Sequence, residues 1–301
     1  FLKEKKILLA VSGGVDSMVL LDLVAKSGLY FAVAHCNFQL RGDESDSETA
    51  FLENHCKVNN YKLFTRFFDT VLYSKEHKVS IQIAARELRY SWFNLLLEQE
   101  NFDYVLTAHH LNDQLETFLI NLSRGTGLEG LKGIPNVNNK TVRPLLNFSR
   151  AEIESYATAA NLDWKEDSSN KSNKYLRNAL RLDVIPELEK INPNFLSQFQ
   201  LSLEHLKSAS NMVKEAADMV FDKVVKIENE TWHISISHLN KQNNPNDYLF
   251  QWLSPFGFTA WADVYGLLTS QSGKQVHSST HTLLKNRTEL LLFKKNSTKD
   301  S

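Results

Sequence analysis

The sequence predicts an α/β protein: an open parallel sheet with helices on both faces, followed by a mainly helical C-terminal domain. Three observations carry this. The opening stretch "ILLAVSGGVDSMVLL" reads as a buried strand, a tight glycine-containing turn and the start of a helix. Short β-rich runs then alternate with helical stretches through the first half, the signature of βαβ units. Beyond about residue 149 the rhythm becomes mostly helical.

Taken in order, residues 7–11 form the first strand and 16–26 the first helix. Residues 30–36 read as a second strand, and "DESDSETAFLENHCKV" as the helix after it. "YKLFTRFF" is strand-like, and "SIQIAARELRYSWFNLLLEQE" is a long helix with Ser80 as its N-cap. "YVLTA" (104–108) is another short apolar run, leading into a helix through "DQLETFLINLS". A parallel sheet built this way is covered on both faces. A long amphipathic helix spans about 194–226, and a mixed tail places strand-like "TWHISIS" and "TELLLF" around a helical "FTAWADVYGLLTS". Pro193 interrupts the helical pattern, so a boundary is expected within 188–193, giving domains 1–190 and 191–301.

Composition narrows the class. The 301 residues are 42% hydrophobic and 23% charged with a net charge of −1, ordinary for a globular protein. No apolar run approaches the ~18 residues of a membrane span. The two cysteines, Cys36 and Cys56, form no CxxC pair, which argues against a thiolate zinc site and favours a reducing, cytoplasmic setting. A near-neutral charge means that any nucleic-acid surface must be local.

The turn "SGGVDS" (12–17) carries the first chemistry. Gly13 and Gly14 allow positive φ and close backbone approach, so their amides can converge on an anion. The helix beginning near Val15 points its free amides and positive dipole end at the same place, and Ser12 and Ser17 add hydroxyls. Asp16 would repel a phosphate unless a cation lies between them, which suggests Mg²⁺. "GTGLEG" (125–130) satisfies GxGxxG but follows a helical segment rather than a strand, so it fails as a dinucleotide site.

"TAHHLNDQLETFL" (107–119) emerges from a strand end into a helix. His109 and Asp113 are four apart and Asp113 and Glu116 three apart, so they are helical neighbours. Such a group can bind a metal, position a nucleotide or move a proton. In "AARELRY" (84–90), Arg86 and Arg89 share a helical face and can reach phosphates.

These motifs resemble the N-type ATP pyrophosphatases, and within them the tRNA(Ile)-lysidine synthetase branch. The matching pieces run in order: "SGGVDS", "AHCNFQLRGDESDSE", "AARELRY", "TAHHLNDQLETF", "RGTGLEGLKGI", "RPLL" and "EDSSNKSNKYLRNALR". One departure is Phe38, where many relatives carry a histidine. The resemblance implies a five-stranded, adenine nucleotide alpha-hydrolase-like sheet. It also implies ATP and Mg²⁺ as cofactors, with an isoleucine tRNA bearing the CAU anticodon and free L-lysine as partners. A homodimer stays open. Carried over by motif, Ser12, Gly13, Gly14, Val15, Asp16 and Ser17 would cradle pyrophosphate, and Ala10 and His35 would contact adenosine. Asp16, Arg86, His109 and Asp113 would be the catalytic set.

Lys171, Lys174, Arg177 and Arg181 form a local basic run in "NKSNKYLRNALR". The last three recur at helical spacing, and cations early in a helix oppose its dipole, so an RNA contact is expected there, with Arg143 joining. Trp232, Trp252 and Trp261 read as core. The competing functions are a tRNA thiolation enzyme, a small-molecule ligase using the same loop, and a non-catalytic ATP sensor.

Overall fold

The computed structural model describes residues 2–166 and 176–295. Two units emerge, residues 1–206 and 207–301.

In the first unit, β1 (Lys6–Ala10), α1 (Val15–Lys26), β2 (Tyr30–Asn37), α2 (Asp43–Val58) and β3 (Leu63–Phe67) follow one another. Next come α3 (Thr70–His77), α4 (Ile81–Gln99), β4 (Tyr104–Leu106), α5 (Leu111–Ser123) and α6 (Leu128–Leu131). The hairpin β5 (Val137–Asn138) and β6 (Thr141–Val142) precedes α7 (Arg150–Ala159) and α8 (Leu176–Ala179). A π-helical turn, Leu180–Val184, then joins α8 to α9 (Ile185–Ile191). The sheet order is β3-β2-β1-β4-β6-β5. Its first five members are parallel, as the sequence implied, and the two-residue β5 adds an antiparallel edge.

Successive side chains of a strand face opposite sides, and β1 shows what that requires here. Ile7 and Leu9 enter one core with Val19, Leu20 and Leu52, while Leu8 enters the other with Trp92, Phe93 and Leu96. All three strand residues are fully buried, which is why this run reads as continuously apolar. Ser80 caps α4 as expected, its hydroxyl accepting from the Ile83 amide. Because β2 and β4 flank β1 on opposite sides, the chain changes direction across β1, and a crevice opens beyond the carboxyl ends of β1 and β4.

The second unit joins a sheet to its helices. The helix α10 (Phe195–Val224) leads into β7 (Val225–Glu228) and β8 (Thr231–Ser235), then α11 (Ile236–Leu239), α12 (Pro245–Leu253) and α13 (Trp261–Gly266). The strands β9 (Gln275–His277), β10 (His281–Lys285) and β11 (Glu289–Lys294) complete a five-stranded antiparallel sheet in the order β7-β8-β11-β10-β9. The two strand-like tail segments are β8 and β11; β7, β9 and β10 are the strands the sequence pattern did not mark. Trp252 is buried in this core, its indole N–H donating to Ala217 O, and Trp232 and Trp261 pack against it.

The unit boundary lies inside α10 rather than at 188–193. Its early residues Phe199 and Leu203 pack with Leu111 and Leu115 of α5, which ties those turns to the first unit despite Pro193.

Candidate active site

Gly13 adopts φ +95°, a conformation that costs glycine little, and this curls the loop between β1 and α1. The amides of Ser12 and Gly13 both donate to Ser17 Oγ at 3.2 Å, and Ser17 Oγ donates to Gly14 O at 2.8 Å. The loop thus forms a nest of converging amides with its own serine at the focus. The Lys165 amide donates to Gly13 O, so a distant segment braces the turn.

A cavity of about 350 Å³ lies against this loop, at the crevice the topology opens. Ala10, Ser12, Asp16 and Ser17 line it from the loop side, and His109 and Asp113 from the start of α5. Gly13, Gly14 and Val15 are not on its wall; they shape the turn. Two expectations are corrected. His35 is buried with Nδ1 3.0 Å from Val11 O and Nε2 3.1 Å from Thr49 Oγ1, so one ring nitrogen ties β2 to the end of β1, the other ties it to α2, and His35 is not on the cavity wall. Arg86 is exposed and its guanidinium lies over the Tyr90 ring; Arg89, one helical turn on, lines the cavity instead and covers Phe38. The spacing placed both arginines on one helix face, but only packing against β2 selects which reaches inward.

Asp16 occupies an asymmetric environment. Its Oδ2 pairs with Arg150 at the start of α7, while Oδ1 is buried without a hydrogen-bond partner among the described residues. Burial raises its carboxyl above the ordinary value, against the pull of His110 and Arg150. His110 Nε2 sits between two carboxylates, 3.8 Å from Asp16 and 3.6 Å from Asp113. Asp113 also accepts from the His110 amide at 3.0 Å. Burial would raise the Asp113 carboxyl, but His110, His109 and that amide outweigh it and hold the group below its ordinary value. His109 is held by Thr107, whose Oγ1 lies 2.9 Å from Nδ1. Burial pushes His109 down to about 4, so it is neutral at pH 7.

The basic run is corrected as well. Lys171 and Lys174 lie outside the described residues. Arg177 and Arg181 do not form a free basic face: they turn onto Glu116, whose side chain is 0% exposed. Arg181 Nε donates to Glu116 Oε1 at 2.6 Å, and Arg177 donates to Thr117 while its Nε sits 2.9 Å from Glu116 Oε2 in a poorly aligned ion pair. A buried carboxylate demands such partners. Arg143 is likewise buried, donating to Pro135 O at 2.8 Å.

Arg150, the place of His110 between two carboxylates and the Glu116 pairing are not legible in the sequence. His110 stood beside His109 in the motif. Arg150 carries no local signal beyond the Ser149–Glu152 capping box that starts its helix.

A PP-loop domain family model matches residues 2–188, and a TilS substrate binding domain model matches residues 227–295. A tRNA(Ile)-lysidine synthase of Bacteroides thetaiotaomicron is 37% identical over 294 residues, covering 97% of this chain and 68% of that protein. One from Porphyromonas gingivalis is 38% identical over 293 residues, covering 96% and 64%, so this chain spans about two thirds of the length of these relatives. One from Chlorobaculum tepidum is 34% identical over 284 residues, covering 90% and 85%. Among solved structures, the U34-tRNA thiolase NcsA from Methanococcus maripaludis superposes with a TM-score of 0.54 at 19% identity, over 67% of this chain and 72% of that one, a likeness of fold alone. With a phosphate-loop sheet, a convergent acid–histidine cavity and relatives of this identity along nearly its whole length, the chain belongs to the tRNA(Ile)-lysidine synthase family of PP-loop proteins.

Proposed function

We propose that this chain modifies the wobble cytidine of an isoleucine tRNA bearing the CAU anticodon. The carbonyl oxygen on carbon 2 attacks the α-phosphorus of ATP, and the bond to the departing pyrophosphate breaks. The ε-amine of free L-lysine then bonds to carbon 2 as the carbon–oxygen bond to AMP breaks, giving lysidine. The observation that carries this reading is the convergence of Asp16, His109 and Asp113 on one cavity beside the amide nest.

The loop of residues 12–17 holds the leaving pyrophosphate through its amides and the hydroxyls of Ser12 and Ser17. Ala10 is the small wall residue against which adenosine rests. Arg89 takes the role expected of Arg86, placing a fixed positive charge at the cavity wall. Asp16 fits a hard cation, because its buried Oδ1 has no hydrogen-bond partner among the described residues; Asp16, with Asp113 nearby, would hold Mg²⁺, which would screen charge on the phosphates when bound. His109, neutral at pH 7 and held at Nδ1 by Thr107, stands on the cavity wall, where it can take part in moving the proton that lysine must lose. Asp113 fixes His110 between the carboxylates.

The thiolation alternative is poorly served. Burial pushes the Cys36 thiol up to about 12 and the Cys56 thiol up to about 11, so neither is a ready thiolate.

The test is incubation with labelled lysine, ATP, Mg²⁺ and a CAU-anticodon isoleucine tRNA transcript. Lysine is expected in the RNA only when ATP is present. Pyrophosphate release that depends on sulfide or on a small acid, with no lysine in the RNA, refutes the reading.

A further inference from the structure

We propose that a second groove, between α4 and the β5–β6 hairpin, seats the single-stranded nucleotide next to the target base. The proposal rests on the reading of the chain as an enzyme acting on an exposed RNA loop.

The groove has a volume of about 620 Å³ and shares a wall with the catalytic cavity, because Tyr90 lines both. Consecutive nucleotides are joined by a single phosphodiester. The shared Tyr90 wall puts the groove within that short reach of a base held in the cavity.

The groove's chemistry matches such a neighbour. The Arg86 guanidinium lies 4.9 Å from the Tyr90 ring centroid and is exposed, so its outer plane is a stacking platform for a base. Lys140, at the turn of the hairpin, and Arg143 add positive charge at the same groove. The one acid on the wall, Glu87, accepts from Tyr73 OH at 3.2 Å. Three cations to one acid suit a phosphate and would repel the ammonium group of a free amino acid. Arg143 is buried, and its Nε has no hydrogen-bond partner among the described residues.

Asn94, Asn138 and Asn139 are exposed around the rim and offer paired donors and acceptors to a base edge. The hairpin is held rigidly, since the Val105 amide donates to Lys140 O and the Arg143 amide to Asn136 O. The hairpin backbone that carries Lys140 and Arg143 is thus fixed before a ligand arrives, which lowers the cost of binding.

The experiment uses the full chain and a fluorescein-labelled CAU anticodon stem-loop, with anisotropy read across a salt series. R86E/K140E is expected to weaken RNA binding by about tenfold or more and to flatten the log–log salt slope by about 1.4, the value for two single-strand phosphates. ATP affinity, measured separately, is expected to be unchanged. Arg86→Lys retains the charge but loses the planar platform, so it is expected to lower RNA affinity while keeping the salt slope. RNA affinity within about twofold of the parent in R86E/K140E overturns the groove. If that variant also loses ATP binding, Arg86→Lys decides instead, and parental RNA affinity in it overturns the proposal. A parent that transfers lysine to tRNA while R86E/K140E keeps the same KM for tRNA sinks the groove alone. A parent that binds no RNA sinks the functional reading, and the groove with it.

Discussion

Arg181 reaches across 65 residues of sequence to set its Nε 2.6 Å from the fully buried carboxylate of Glu116. Arg177 approaches the same carboxylate from one helical turn earlier, so a single buried acid anchors the segment around the π-helical turn to α5. Removing one partner of a buried ion pair costs about 3–5 kcal/mol. Both arginines keep more than a third of their side-chain surface in solvent, so the lower end applies. Glu116→Ala is therefore expected to destabilise the protein by about 3 kcal/mol and to lower Tm by roughly 6–12 °C. A thermal melt that shifts by no more than about a degree would show the pairing to be a surface contact.

His109 makes a prediction about acid. Its folded-state value, about 4, lies below the ordinary histidine value of 6.5, so the unfolded chain binds the proton more readily. The sign follows: its contribution is complete above pH 6.5 and is lost as pH falls from there towards 4. His35, also lowered by burial, loses stability in the same direction. Urea midpoints measured at pH 7 and pH 5 are expected to differ less in His109→Asn than in the parent. An equal difference would mean that His109 is not held neutral by burial.

Arg89 and Arg86 separate cleanly by place. Arg89 lines the catalytic cavity and Arg86 does not. Arg89→Met is expected to weaken ATP binding by about tenfold, in keeping with the loss of one charge-assisted contact to phosphate, whereas Arg86→Met leaves it unchanged. Calorimetric titration with ATP decides; the reverse ranking would restore Arg86 to the nucleotide site.

Asp16 is tied to Arg150 on one oxygen and free of described hydrogen-bond partners on the other. Asp16→Ala is expected to abolish pyrophosphate release while the far-ultraviolet circular dichroism stays that of the folded protein. Arg150→Met, which removes the ion-pair partner of Asp16 while leaving the loop sequence intact, is expected to shift the Mg²⁺ dependence of the same reaction and to leave its maximum within about tenfold of the parent, because Arg150 is partly exposed. Pyrophosphate release at the parental rate in Asp16→Ala would contradict the role given to that carboxylate.

Much of the fold was legible because its signals are local. The run from Ile7 to Leu9 is apolar since both faces of a central parallel strand are covered, and Gly13 marks a turn that needs positive φ. Ser80 announced the start of α4 because a cap acts through backbone groups three residues away. The small strands of the second unit escaped notice because residues such as Val276 and Leu283 find their apolar neighbours only in the assembled sheet.

At the site, the sequence by itself determined the phosphate loop, the strand end that brings His109 and Asp113 to one cavity, and the family, since these are contiguous motifs; it is His110, the N-cap of α5, rather than His109 that meets the Asp113 carboxylate. Only the tertiary structure decided which arginine of "AARELRY" faces the cavity, that His35 serves β2 and α2 rather than a ligand, and that Arg177 and Arg181 answer a buried glutamate. The reason is electrostatic: a charge or imidazole chooses its partner by the cost of leaving water, and that cost is set by burial, which no stretch of sequence carries alone.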